Sequence, residues 1–430
     1  MFRTLCIAFH SSIGWGKYQR HLAAKLGATY ACLGADMLLP VFLAPLMQRD
    51  VALSPPQLQL LKSAWFVGAM IGFFLTGATA DTLGRKQVLQ LCAVARCLST
   101  LSMGCMPSFG WVVLTRLISS IGASGAFNTL LPLLFEFSPP QHRSSCKRYL
   151  SLLWNVGVAY LCIGAWMFRN LNWRWSSLLF LPSIPITLML FSNVMESPKY
   201  LLTRGKFLDA KNVLGAVANY NGVESSIDLD SLNKVIGPTT TTTTTTRLSF
   251  LFNYFSLFRP RILRNTCVLI LLNFAVTSTY YGITLGDVSR IGICGNVYQQ
   301  QLFASALEIP GLLFVVPLAD SLGRKLTIIL VLSTYAVSMV SLATLPEAWR
   351  AYRLVSYLLA RMSGQAAYAL KWIINAEAYP TSCRNAGLSL ASIVGQLGGL
   401  LGPMLFLRLA SPFRWFCALL TATSLVRNMK

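Results

Sequence analysis

Two acidic residues lie deep inside apolar stretches of the sequence, where a charge is costly. Asp36 and Glu308 each stand within a long and mostly apolar run. A charged side chain at the centre of a bilayer costs roughly 2.5–3.5 kcal/mol unless it is paired or hydrated. Such an acid binds a cationic solute, carries a proton or forms a structural pair with a buried base. For Asp36 the candidate base is Arg96.

Basic and aromatic residues in the same kind of stretch are further candidates. Lys371 could contact an anionic solute or neutralise an acid. Tyr280, Tyr281 and Trp372 could stack on a ring or an ammonium group, with plain packing as the alternative. Arg116 stands 20 residues before Glu136, or about 30 Å along a helix. We therefore expect Arg116 to reach towards the outer membrane surface.

Two charged motifs each occur twice, at nearly the same spacing. The motif that begins at Asp81 recurs at Asp320, 239 residues later, and the one that begins at Glu136 recurs at Glu377, 241 residues later. Two motifs in register indicate two homologous halves in the same orientation. The other charged and glycine members are Gly84, Arg85, Lys86 and Arg143 in the first half and Gly323, Arg324, Lys325 and Arg384 in the second.

These motifs stand at the ends of apolar stretches, where opposite charges could form a latch between helices. Breaking such ion pairs as one side of the protein opens would shift a balance between two states. Gly84 and Gly323 allow the tight turn that each motif needs. The alternative is that the Arg and Lys residues only anchor the topology.

The composition predicts the elements that carry these residues. Of the residues, 54% are hydrophobic and 12% are charged, whereas a soluble domain has about 25% charged residues. Crossing a bilayer needs about 20 apolar residues, and helices satisfy their own backbone there. We therefore predict an all-α polytopic membrane protein. The predicted spans are residues 23–47, 58–80, 87–107, 110–135, 149–168, 175–195, 265–286, 300–319, 326–346, 352–378, 386–408 and a short last one at 412–426.

The net charge of +22 indicates topology rather than a nucleic-acid partner. Lys and Arg are concentrated in alternate loops, and by the positive-inside rule this places the N-terminus in the cytosol. The sequence contains no Walker motif and no close cluster of metal ligands. We predict neither enzymatic activity nor a cofactor nor a metal site. The membrane is either the plasma membrane or that of an intracellular vesicle.

The predicted organisation has four parts. Residues 1–22 form a cytosolic N-terminus, 23–195 a first half of six helices, 196–264 a central cytosolic loop, and 265–430 the second half. The central loop contains an amphipathic helix, with Phe207, Ala210, Leu214 and Val217 at helical spacing. It also contains a slack linker of eight threonines, Thr239 to Thr246.

The motifs resemble those of the major facilitator superfamily. Gly77, Asp81, Gly84, Arg85 and Lys86 match its pattern G-x-x-x-D-x-x-G-R-K. The sequence M-E-S-P-K-Y-L-L from residue 195 resembles a segment of the sugar-porter and organic-ion branches. G-W-G-K-Y-Q from residue 14 is similar to the synaptic-vesicle-protein-like group, which is related to organic cation transporters.

The resemblance implies a fold of two six-helix halves and a secondary transporter that works by alternating access. Its substrate would be a small organic solute, with an organic cation favoured over a sugar, a nicotinate-like anion or phosphate. Transport would be driven by protons or the membrane potential, by a monomer in the lipid bilayer. Val316 and Ser120 depart from the family pattern, and a P-E-T segment after the last helix is missing. The alternatives of another class are a non-transporting receptor or scaffold and a truncated inactive homologue.

Overall fold

The computed structural model describes residues 14–223, 260–285, 297–346, 348–378 and 384–408. Within these ranges the regular structure is entirely helical. The predicted threonine linker and the predicted last span at 412–426 lie outside the described residues.

The first part of the chain contains five long helices, and each overlaps most of one of the first five predicted spans; α3 ends five residues before the predicted end of the third span. They are α1 (Lys17–Val51), α2 (Pro55–Leu83), α3 (Arg85–Ser102), α4 (Phe109–Phe137) and α5 (Arg143–Met167). Ser54 precedes Pro55, the first residue of α2, and its backbone N–H donates to Gln57 Oε1 at 2.9 Å. This is the capping-box arrangement that starts a helix.

The sixth predicted span is not one continuous α-helix. Trp173–Phe180 form a 3₁₀ helix, and Ser183–Met189 form the short helix α6. Pro182 stands between them and has no N–H to continue the ladder, while its ring would clash with the carbonyl four residues earlier. The apolar composition predicted a helix here, but it did not account for this break.

Two helices follow in the segment predicted to be amphipathic. They are α7 (Pro198–Thr203) and α8 (Phe207–Asn221). On α8, Ala210 and Val217 are buried while Phe207 is 40% exposed. The Asn221 side chain accepts a hydrogen bond from the N–H of Tyr18 at 2.9 Å, which ties the end of α8 to the start of α1.

The second part of the chain also contains five long described helices. They are α9 (Pro260–Leu285), α10 (Val297–Ser321), α11 (Arg324–Thr344), α12 (Arg350–Ala378) and α13 (Arg384–Arg408). Here α9 packs along α13, and α12 packs against α10 and α11. In the first part, α1 packs along α5, and α4 packs against α2 and α3. The two parts meet through α2 with α13 and through α5 with α10.

The two ends of this bundle differ in what they carry. One end, called the motif end here, contains the turns at Gly84 and Gly323. At the opposite end the parts touch directly: the rings of Phe42 and Tyr298 stack with centroids 5.4 Å apart. The same end brings Lys62 Nζ to 3.5 Å from the carbonyl oxygen of Leu285.

Eight of the described helices are long and apolar enough to cross a bilayer. Among the others, α12 carries buried Arg361 and Lys371. These two charged side chains make the sequence of α12 less apolar, but they are buried inside the bundle.

Glycines let α1 and α5 approach closely. A β-carbon at Gly34 would lie 2.7 Å from the Trp154 carbonyl oxygen, and one at Gly157 would lie 2.8 Å from the Cα atom of Ala31. Both distances are shorter than a carbon atom tolerates. The close packing of the two backbones therefore requires glycine at both positions.

We predict that Gly157→Val lowers the midpoint of thermal unfolding, measured in detergent. Forcing extra carbon atoms into a packed contact costs roughly 1–3 kcal/mol. The control is Gly215→Ala on α8, where nothing lies within 4 Å of an added β-carbon. The control should unfold at or slightly above the wild-type temperature, and equal midpoints for all three proteins would contradict the packing.

Candidate functional site

Asp36 is fully buried in α1 and is paired with Arg116 of α4. Arg116 Nη1 lies 2.6 Å from Asp36 Oδ1, and Nη2 donates to the Asp36 carbonyl oxygen at 2.9 Å. Ser119 donates to Oδ2 at 2.5 Å, and the hydroxyl of Thr100 on α3 lies 3.3 Å from Oδ1. Both carboxylate oxygens are therefore occupied by side chains of the protein.

This geometry corrects two expectations. Arg116 is 1% exposed and pairs with an acid, so the prediction that it reaches the membrane surface is wrong. The expected structural partner of Asp36, Arg96, forms no ion pair with it here. Counting residues back from Glu136 gave a depth along α4, but it carried no information on which helix would face Arg116.

A second buried ion pair lies in the other half. Arg361 Nη2 of α12 is 2.7 Å from Glu308 Oε1 of α10, and both side chains are at most 2% exposed. Arg361 also donates to the hydroxyl of Thr284 and lies 5.8 Å from the ring centre of Tyr280. Each half thus holds one buried acid against one buried arginine on a neighbouring helix.

Where the halves meet, two buried lysines stand among aromatic rings. Lys371 Nζ of α12 donates to Thr277 Oγ1 at 2.5 Å and lies 3.8 Å from the ring centre of Tyr368. Lys147 Nζ of α5 donates to Tyr30 at 3.2 Å. Lys147 Nζ lies 5.8 Å from the ring centre of Phe127, and Lys371 Nζ lies 5.7 Å from that of Trp372.

The rings around these lysines bridge the halves. Phe127 of α4 packs on Trp372 of α12 with centroids 4.8 Å apart, and on Tyr30 at 5.3 Å. We call Tyr30, Phe127, Lys147, Tyr368, Lys371 and Trp372 the central cluster. Tyr280 and Tyr281 adjoin it through Tyr368, with centroids 5.0 and 5.9 Å away.

The buried charges of the described residues do not balance. Their buried charged side chains are two acids and five bases. The two ion pairs use two of the bases. The three bases left over are Arg96, Lys147 and Lys371.

At the motif end, the structure shows an ion pair between Arg85 and Glu136. Ser197 donates a hydrogen bond to the same Glu136 carboxylate. Glu196 accepts hydrogen bonds from the backbone N–H groups of Arg85 and Lys86 at 3.0 and 3.2 Å. An acid in that position suits the positive end of the helix dipole of α3.

The other predicted motif residues have different surroundings. Asp320 and Arg324 pair along one turn at 2.5 Å and are partly exposed. Gly84 and Gly323 have φ of +100° and +84°, the conformation that favours glycine. Gly77 lies on α2, Arg143 and Lys325 are exposed, and the side chains of Asp81, Glu377 and Arg384 lie outside the described residues.

Sequence reasoning missed Lys147 and Glu196. Lys147 stands among Arg143, Arg148 and a run of polar residues, so it read as part of a loop just before the fifth span. Its position one turn into α5 was the signal available. Glu196 belongs to the segment that resembled the sugar-porter branch, but no pattern connected its carboxylate to the start of α3.

The long apolar helices and the buried ion pairs between them are those of a polytopic membrane protein. Comparison with known proteins identifies its family. The family model described as "Major Facilitator Superfamily" matches residues 26–403. The chain belongs to this superfamily, as the motifs predicted. It is therefore a multi-pass integral membrane protein and not an enzyme.

Similar proteins and structures narrow this placement. The chain is 31% identical over 356 residues to Solute carrier family 22 member 7 of Rattus norvegicus, covering 80% of this chain and 63% of that protein. It is 27% identical over 437 residues to Organic cation/carnitine transporter 7 of Arabidopsis thaliana, covering 91% and 86%. The proton:xylose symporter XylE shares the fold, with a TM-score of 0.73, 16% identity and coverage of 95% and 94%.

We predict that Arg361→Gln lowers the free energy of unfolding strongly, because it leaves Glu308 buried without its partner. Removing one member of a buried pair costs about 3–5 kcal/mol. The double variant Glu308→Gln/Arg361→Gln removes both charges and should recover most of that loss. Denaturant unfolding in detergent measures these two variants and the single variant Glu308→Gln, and a loss in the double variant equal to the sum of the two single losses would contradict the pairing.

Proposed function

We propose that the chain is a secondary transporter that carries a small organic anion across the membrane by alternating access, with its substrate site at the central cluster. Membership of a transporter family supports the transport step. The position of the central cluster between the halves supports the site, because transporters of repeated halves bind their substrates at the repeat interface near the midplane.

The unbalanced positive charge of the central cluster is the reason for proposing an anionic substrate. Lys147 and Lys371 are buried without an acidic partner among the described residues. Hydroxyl groups and ring faces stabilise them, but neither neutralises a charge. The N–H of Trp372 is also buried without an acceptor in hydrogen-bonding geometry. A carboxylate would supply both the missing charge and acceptor atoms, and the rings suit a flat organic group.

An organic cation, the solute that the sequence favoured, is the second candidate. The relative named Organic cation/carnitine transporter 7 supports it, and ring faces attract ammonium groups. Asp36 no longer supports it, because Arg116, Ser119 and Thr100 surround its carboxylate. An organic cation would also have to approach two lysines.

We further propose that protons or the membrane potential drive transport, with Asp36 and Glu308 as the coupling acids. Each is buried beside one arginine, so protonation of either acid would weaken an ion pair that holds two helices together. The motif end faces the cytosol by the positive-inside rule. The chain works as a monomer in the plasma membrane or in the membrane of an intracellular vesicle.

The motif-end contacts of Glu136 are proposed to be a latch. Arg85, Glu136 and Ser197 join the start of α3, the end of α4 and the segment before α7. The predicted counterpart in the second half, Glu377 with Arg384, would be the equivalent latch. Release of such contacts favours the state open at the motif end.

We predict that Lys371→Gln lowers uptake of nicotinate into proteoliposomes by about tenfold or more. A tenfold loss corresponds to about 1.4 kcal/mol, close to the lower end of the net contribution of a hydrogen bond to a charged group. Lys371→Arg keeps the charge and should retain part of the uptake. Lys211→Gln, an exposed lysine on α8, is the matched control and should transport like the wild type.

Three outcomes would reject parts of this proposal. Wild-type protein that takes up tetraethylammonium but no nicotinate, benzoate or phosphate would favour the organic cation. Unchanged nicotinate uptake by Lys371→Gln would remove the central cluster from the binding site. No substrate-dependent flux with any of these solutes or with sugars would favour a receptor or scaffold.

We predict that Glu136→Gln slows uptake several-fold and changes the affinity for substrate by less than about twofold, because it weakens a latch outside the binding site. Transport and equilibrium binding are measured on the same preparation. Glu136→Asp keeps the charge and is the comparison. A selective loss of binding in Glu136→Gln would contradict the latch.

A further inference from the structure

Arg96 is the most poorly satisfied charge among the described residues. It lies on α3 and its side chain is fully buried. None of its three guanidinium nitrogens has a hydrogen-bond partner in good geometry. Its polar neighbour is the thiol of Cys32, a weak acceptor. A buried cation in this condition is expensive, since buried charges are ordinarily paired and hydrogen-bonded.

The partner within reach of Arg96 is Asp36. Thr100 lies one helical turn after Arg96 on α3, and its hydroxyl touches both the Arg96 carbonyl and Asp36 Oδ1. Cys32 lies one turn before Asp36 on α1. The contact with Cys32 therefore places the guanidinium near the level of Cys32, one turn, or about 5.4 Å along α1, nearer the motif end than Asp36.

The backbone of α3 at Arg96 is packed closely against α4. A β-carbon at Gly122 of α4 would lie 2.8 Å from the Arg96 nitrogen and 2.6 Å from the Cys92 carbonyl oxygen. This close approach fixes the backbone of α3 beside α4. A change of partner from Cys32 to Asp36 therefore requires only that the long side chain of Arg96 turn by about one helical level.

We propose that Asp36 exchanges partners during transport, pairing with Arg116 in the state seen here and with Arg96 in another state. The proposal rests on the proposed transport function and makes Arg96 a positioning residue that acts through Asp36. In this structure the two halves touch at the end opposite the motif end, through Phe42 and Tyr298.

The exchange couples a local contact to the packing of three helices. With Arg116, Asp36 ties α1 to α4; with Arg96, it ties α1 to α3. Arg116 rests over the ring of Trp65 on α2, 5.2 Å from its centre, and this ring can stabilise the guanidinium while Asp36 is engaged elsewhere. One acid shared by two arginines gives two discrete arrangements, which a transport cycle requires.

The test combines variants of Arg96 and Asp36 in proteoliposomes and in binding assays. Arg96→Gln should lower maximal uptake about tenfold while the substrate affinity changes less than twofold, and Arg96→Lys should restore part of the rate. In an Asp36→Asn background, Arg96→Gln should add no further loss. Unchanged uptake in Arg96→Gln, or the same loss in both backgrounds, would overturn the exchange.

A second measurement does not depend on transport. Arg116→Gln deprives Asp36 of its present partner, so Arg96 should turn towards Asp36 and leave Cys32. Alkylation of Cys32 by N-ethylmaleimide, located by mass spectrometry, should slow several-fold, because a neighbouring guanidinium favours the reactive thiolate. The variant Asp36→Asn/Arg116→Gln offers Arg96 no acid and should keep the wild-type rate.

An unchanged Cys32 rate in Arg116→Gln would overturn the exchange even if transport were normal. The wild type could carry none of the tested solutes while the alkylation rate of Cys32 still falls in Arg116→Gln. The proposed transport function would then be rejected, and the exchange of partners by Asp36 would be supported. The two failures are therefore distinguishable.

Discussion

The cost of burying charge governs the interior of this protein. Where water is excluded, an isolated ion is far more expensive than a paired one, and removing one partner costs more than removing both. Each half meets this constraint in the same way, with one acid against one arginine on a facing helix: Asp36 with Arg116, and Glu308 with Arg361. These pairs hold α1 against α4 and α10 against α12. The remaining buried bases are the charges that packing alone leaves without a counter-ion.

Two of those bases stand where the halves meet, and the third stands inside the first half. This division suggests two roles. Lys147 and Lys371 contact hydroxyl groups and aromatic rings, and they are proposed to pair with a negatively charged solute. Arg96 is enclosed beside Cys32, and Asp36 is its proposed partner. In the proposed transport cycle, this excess of buried positive charge connects the binding of a solute with a rearrangement inside the helical bundle.

Much of the fold could be predicted from local features of the sequence. Apolar length predicted the long helices, and the recurrence of the Asp81 and Asp320 motifs predicted a superfamily that the family comparison confirmed. The break at Pro182 also had a local signal, although composition alone concealed it. The partners of the buried charges were harder to predict from the sequence, because an ion pair depends on which helices are neighbours. Depth along α4 placed Arg116 near a surface, whereas the packing of α1 against α4 places it on Asp36.

The central claim is that the site between the halves is selective for negative charge. Nicotinate, nicotinamide and 1-methylnicotinamide share one ring and carry negative, zero and positive charge, so they separate charge from shape. Binding of each to the purified wild-type protein, measured through tryptophan fluorescence, tests the claim most directly. Nicotinate should bind at least tenfold more tightly than nicotinamide, with 1-methylnicotinamide weakest. Equal binding of all three, or tightest binding of the cation, would contradict it.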